Sequence, residues 1–156
     1  MKRILVDTNV FLRISDPNSA EHRACTDALV RLDNAGIETV VCAQVLIEFR
    51  AVATRLAGVN GLGMTAAQAE EATRDILLQS ECLSEPPDVA ARWRDLVNRY
   101  QVLGMPCHDT RLVAVALAHG VGHVLTMNVS DFRRYQEIIV LSPENILASG
   151  DLSEIP

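Results

Sequence analysis

No stretch of the 156-residue chain stays apolar for the roughly 18 residues that a membrane-spanning helix needs. No CxxC pair occurs either. Cys25, Cys42, Cys82 and Cys107 lie far apart, which argues against a zinc site and against a disulfide framework and leads us to expect buried thiols. A phosphate-binding loop of the GxxxxGK type is missing, and so is a second aspartate two residues after Asp7. Nucleotide-loop enzymes and aspartyl-phosphate phosphotransferases therefore lose their support. Basic residues are in deficit, with 14 Lys and Arg against 20 Asp and Glu and a net charge of −6, the opposite of the usual nucleic-acid footprint. Repeats, low-complexity tracts and linkers are absent as well.

What remains is a chain of one-domain length in which 49% of residues are apolar and 22% charged, enough to bury a core without staples. The start, MKRILVDTNVFL, is interrupted by Asp7, Thr8 and Asn9, so it reads as a strand and a turn rather than a signal peptide. The cytoplasm is the expected compartment. Apolar runs at 4–6, 38–42, 123–127 and 138–141 predict strands, with a short one near Leu83. Helices are expected over 20–35, stopped by Gly36, and over 43–57, with Val45, Phe49, Val52 and Leu56 on one stripe. Further helices are expected from a Thr65 cap to about Leu78, from Pro86-Pro87-Asp88 to about Val102, and over 109–119, the last apolar on nearly every side. Strands alternating with helices predict an α/β fold, a three-layer α/β/α sandwich around a mostly parallel sheet of four or five strands. Residues 1–156 are expected to form one domain with its core over about 3–147.

Four acids fall where such a fold binds ligands, beyond the carboxyl ends of the strands. Asp7 ends the first strand, and Asn128 and Asp131 follow the fourth. Asp109 opens the apolar helix that leads into that fourth strand. Glu48 lies on the border of its helix's apolar stripe, together with Gln44 and Arg55. Each acid also has a plain structural reading, as a cap or a solvated helix residue. Gathered together, carboxylates about 4 Å apart repel by roughly 4 kcal/mol each at an effective dielectric near 20. A hard, oxygen-seeking cation such as Mg²⁺ or Mn²⁺ relieves that repulsion and suits phosphodiester hydrolysis. His108 beside Asp109 invites an acid–base reading, but it has no second partner at suitable spacing. His119 and His123 are separated by glycines, and Trp93 reads as a core residue whose stripe could continue into a partner surface.

Asp7-Thr8-Asn9 after an apolar strand, Glu48 in VLIEFRAVATR, Asp109 in HDTRLVAVALAHG and Asp131 in TMNVSDF together resemble the four motifs of PIN-domain ribonucleases, and most nearly those of VapC-type toxins of toxin–antitoxin pairs. Order and spacing match from Ile4 to about Ile146. The resemblance implies RNA cleavage dependent on Mg²⁺ or Mn²⁺, a cognate antitoxin partner and often a homodimer. By position it assigns the metal site to Asp7, Glu48, Asp109 and Asp131, with Thr8, Asn9, Thr126 and Asn128 as supporting polar residues. Thr110 stands where many relatives carry alanine, and Asn128 where some carry an acid. Arg13, Arg50, Arg55 and Arg111 are candidate phosphate contacts. The alternative reading is a PIN-like RNA- or protein-binding module that has lost catalysis.

Overall fold

Ile4, Leu5 and Val6 are wholly buried because the strand they belong to, β1 (Arg3–Val6), runs through the middle of a sheet. The computed structural model describes residues 1–152. Its sheet comprises β1, β2 (Glu38–Cys42), β3 (Glu81–Leu83), β4 (His123–Leu125) and β5 (Ile139–Leu141) in the order β3-β2-β1-β4-β5. Every neighbouring pair is parallel, so the sheet is parallel throughout. Leu5 pairs with Val40 on one side and with Val124 on the other. A parallel strand buried on both faces needs a continuous apolar run, and ILV, VVC and the VL of β4 supply one each.

The helices are α1 (Thr8–Ile14), α2 (His22–Asn34), α3 (Ala43–Ala53), α4 (Ala66–Gln79), α5 (Val89–Arg99), α6 (Pro106–Ala118), α7 (Val129–Phe132) and α8 (Pro143–Ala148). From β1 to β3 the chain steps steadily towards one edge, so right-handed crossovers carry the intervening helices over one face. The passage from β3 to β4 then crosses back, and α5 and α6 cover the opposite face. The packing separates accordingly: α1 touches α2 and α3, α3 touches α4, and α2 touches α8, while α6 packs on α5 and α7. This is the expected three-layer sandwich. Because strand order reverses between β1 and β4, their carboxyl ends flank the crevice of the sheet.

Element ends differ from the sequence reading for identifiable reasons. Helix α3 stops at Ala53 rather than near Ala57 because the returning segment occupies its last carbonyls. Leu62 N–H donates to Val52 O (3.4 Å), Gly63 N–H to Arg55 O (2.8 Å) and Met64 N–H to Ala53 O (2.9 Å). Gly61 lies so tightly on the Arg55 backbone that any side chain there would collide. The buried stripe is consequently Val45, Phe49 and Ala53, whereas Leu56 is exposed. Helix α6 begins at Pro106, three residues early, since a proline lacking an N–H suits the first turn. Thr65 caps α4 through a full capping box with Gln68, as expected. The cysteines are all free, but Cys82 is exposed and Cys107 only half-buried, so the expectation of buried thiols holds for Cys25 and Cys42 alone. Cys82 lies on β3, which has a neighbour on one side only and is the edge of the sheet.

Inside α6, Thr110 has no exposed surface. Its hydroxyl donates to Pro106 O (3.0 Å) and also meets the hydroxyl of buried Tyr135 at 2.6 Å. Thr110→Val leaves the Tyr135 hydroxyl without that partner, and urea unfolding should show a loss of about 1–3 kcal/mol. Adding Tyr135→Phe removes the orphaned group, so the double variant should recover part of that loss.

Candidate active site

The buried carboxylate of Asp7, 6% exposed, ends β1 beside the end of β4. Asp7 N–H donates to Leu125 O at 2.9 Å, which extends the β1–β4 pairing by one bond. One carboxylate oxygen, Oδ2, accepts from Thr126 Oγ1 (2.7 Å) and from Asn9 Nδ2 (2.7 Å). Asn9 Nδ2 also donates to Thr126 Oγ1 (3.0 Å), and Asn9 Oδ1 accepts from Met127 N–H (3.0 Å). Thr126 Oγ1 in turn accepts from Asn128 N–H (3.0 Å). The loops after β1 and β4 are thus clasped across the crevice by fully used polar side chains. Asn128 contributes its backbone to this clasp, while the residue itself is exposed.

Glu48 approaches from α3. Its Oε2 accepts from Thr8 Oγ1 (3.2 Å) and its Oε1 from Gln44 Nε2 (2.7 Å). Gln44 is buried, and its amide also donates to His108 O (3.0 Å) and accepts from Arg111 Nη1 (3.0 Å). Arg111 is held on its other side by Glu85, whose two oxygens accept from Nη2 at 2.6 and 2.8 Å. A single line of contacts therefore runs Thr8, Glu48, Gln44, Arg111, Glu85. The sequence reading placed Gln44 on the Glu48 border without assigning it a role. The available signal was the i, i+4 spacing of the two residues on one helix face. Of the other arginines, Arg13 pairs with Glu21 (3.6 Å) and Arg50 with Glu70 (3.3 Å), and Arg55 is exposed. His108 contributes a backbone carbonyl here, not its ring.

Asp109, half-buried in the first turn of α6, and Asp131 in α7 complete the set. Burial pushes the Asp109 carboxyl up to about 6, and the charges of Asp7, Asp131 and Glu48 push the same way, against His108. Asp7 also rises to about 6, chiefly through burial with a smaller push from Glu48, against the hydrogen bonds from Thr126, the Thr8 backbone and Asn9. Through these mutual repulsions Asp109 feels all three other acids, so four separate elements deliver carboxylates to one electrostatic neighbourhood. Among the described residues no three Asp, Glu, His or Cys side chains are drawn together into a ready-made ligand cage. The donor set nevertheless fits a hard divalent cation. Its groups are carboxylate oxygens, and such an ion offsets the burial of Asp7 and Asp109 together with the smaller like-charge repulsion on them.

The raised pKa of Asp7 has a definite sign for stability. The native state holds that proton more tightly than the unfolded chain. The resulting stability is full below the ordinary value of 3.8 and is lost as pH rises through about 6. Asp7→Asn should therefore raise the melting temperature by several degrees at pH 7 in EDTA. The increment should shrink as pH falls towards 4, and calorimetry across that range checks it.

Comparisons with known proteins add to this geometry. The profile of a family described as PIN domain matches residues 4–138. No curated protein matches the chain by sequence. Solved structures do match by fold. A VapBC2 complex from Rickettsia felis, bound to a promoter DNA fragment, superposes with a TM-score of 0.69 at 14% identity, over 90% of this chain and 98% of that one. VapBC-1 from nontypeable Haemophilus influenzae gives 0.68 at 13%, over 91% and 98%. Mycobacterium tuberculosis VapC20, a toxin that cleaves the sarcin–ricin loop, gives 0.54 at 18%, over 78% and 86%. At these identities the likeness is one of fold.

Proposed function

The chain belongs to the PIN-domain family, and from that premise we propose that it is a divalent-metal-dependent endoribonuclease serving as the toxin of a toxin–antitoxin pair. The observation that carries this reading is the convergence of Asp7, Glu48, Asp109 and Asp131 from separate elements, with two of the acids pushed to about 6. A protein without a cationic partner for this crevice gains nothing from burying Asp7 and Asp109 beside other carboxylates, because that burial lowers stability at neutral pH.

In this reading Asp7, Asp109 and Asp131 hold the ion and Glu48 orients the attacking water or assists in holding it. A bound Mg²⁺ or Mn²⁺ supplies Lewis acidity and lowers the pKa of a coordinated water. Thr126 and Asn9 fix the Asp7 carboxylate in one orientation. Thr8 and Gln44 do the same for Glu48, one from each side of its carboxylate. Preorganised groups of this kind need no rearrangement as charge develops on the scissile phosphate. Asn128 acts through its backbone by ordering Thr126.

The VapBC neighbours are toxin–antitoxin complexes, which supports a cognate antitoxin as partner, and we extend the reading to a homodimer in the cytoplasm. We take residues 1–156 as one PIN-like domain with its core over about 3–147. Among the described residues no helix is long and apolar enough to cross a membrane.

The decisive test is cleavage of a mixed cellular RNA pool by purified protein with Mg²⁺, with Mn²⁺ and with EDTA. Discrete products are expected only with metal, and Asp7→Ala should reduce the rate at least a hundredfold. RNA that binds but is never cut, with or without metal, would instead identify a non-catalytic binding module.

A further inference from the structure

A cavity of about 410 Å³ lies at the start of α5, and none of the four acids lines it. Pro86, Pro87 and Ala90 line it together with Trp93, and Glu85 and Arg111 stand at its rim. Its size is that of a small-molecule site. Its position is set by the contact line described above: Arg111 on the rim bonds to Gln44, and Gln44 bonds to Glu48. One side-chain amide therefore separates the rim of the cavity from the carboxylate of the candidate active site. Trp93 is the chain's single tryptophan. Its indole N–H donates to Cys107 O at 2.9 Å, which fixes the ring plane while leaving the residue only half-buried.

We propose that this cavity is a nucleobase subsite, taking one unstacked base of the RNA strand whose phosphate is cut at the acid cluster. The proposal rests on the ribonuclease reading and names how that site grips its substrate. Trp93 and the paired prolines offer the apolar, flat-sided surroundings on which a base of single-stranded RNA stacks. The rim adds a donor and an acceptor side by side, because Arg111 and Glu85 form a bidentate pair that remains partly exposed, at 38% and 30% of side-chain surface. Such a pair matches the alternating donors and acceptors of a base edge. A stacking subsite also answers the charge problem. The chain carries a net charge of −6, so long-range attraction to phosphates is weak and a short-range stacking contact adds what it lacks.

The experiment uses the full chain carrying Asp7→Asn, so that RNA stays intact. It is titrated with end-labelled single-stranded oligoribonucleotides of mixed sequence. Anisotropy of the label reports RNA binding, and the intrinsic fluorescence of Trp93 reports the subsite. Binding should quench Trp93, and replacing the nucleotides one at a time by abasic ones should abolish the quenching at a single position while some binding persists. Ala90→Phe in the same background fills the cavity from an exposed position and should weaken binding about tenfold. Binding with no change in Trp93 fluorescence and no effect of Ala90→Phe overturns the subsite, leaves the ribonuclease reading intact and points to a protein segment as occupant. Failure of the protein to bind RNA at all overturns both.

Discussion

Everything at the crevice depends on holding a negative carboxylate where water hardly reaches. Asp7 is placed there by β1, the central strand, whose carboxyl end opens at the point where strand order reverses. Burial disfavours its charge, and the hydroxyl of Thr126 and the amide of Asn9 are what the fold sets against that cost. Those same two side chains tie the β1 loop to the β4 loop. The clasp is thus at once the orienting device for the acid and the mechanical closure of the sheet's crevice. Helices α3 and α6 then bring Glu48 and Asp109 to a frame already fixed.

Much of this architecture was legible in the chain. Buried parallel strands need unbroken apolar runs, and ILV and VVC are such runs, whereas β4 keeps only Val124 and Leu125 wholly buried behind His123. The Thr65 cap and the Gly36 stop follow from local chemistry that any reader of the chain can apply. Asp7, Asp109 and Asp131 were legible as positions after strands or at helix starts and Glu48 as the border of an apolar stripe, and the carboxyl of Asp109 feels the charge of the other three. Illegible were features made by contacts between distant residues. Helix α3 ends early because residues 62–64 return to take its carbonyls, and no local pattern announces that. The line from Gln44 through Arg111 to Glu85 joins two helices and the loop after β3. Thr110, which departs from the family's usual alanine, is explained only when Tyr135 is seen against it.

The surface has a further character that composition alone conceals. Seven of the chain's 13 arginines, Arg3, Arg13, Arg23, Arg50, Arg92, Arg99 and Arg111, stand in ion pairs with acids. Exposed pairs of this kind add little stability, but they cancel the positive fields that would otherwise draw a polyanion from a distance. Arg133 and Arg134, which follow Asp131 and Phe132 directly in the chain, are in none of these pairs, so the positive charge that stays free there is local rather than general.

The clasp joins residues far apart in the chain, since Asp7 and Thr126 lie 119 residues apart. During synthesis the ribosome releases Asp7 well before Thr126, and chains emerge at about 5–20 residues per second. Through all of that interval the polypeptide carries an aspartate without the partner that orients it, and β1 without its β4 neighbour. The crevice is therefore assembled late, by contacts between the first strand and the fourth, and a chain interrupted before β4 would lack it altogether.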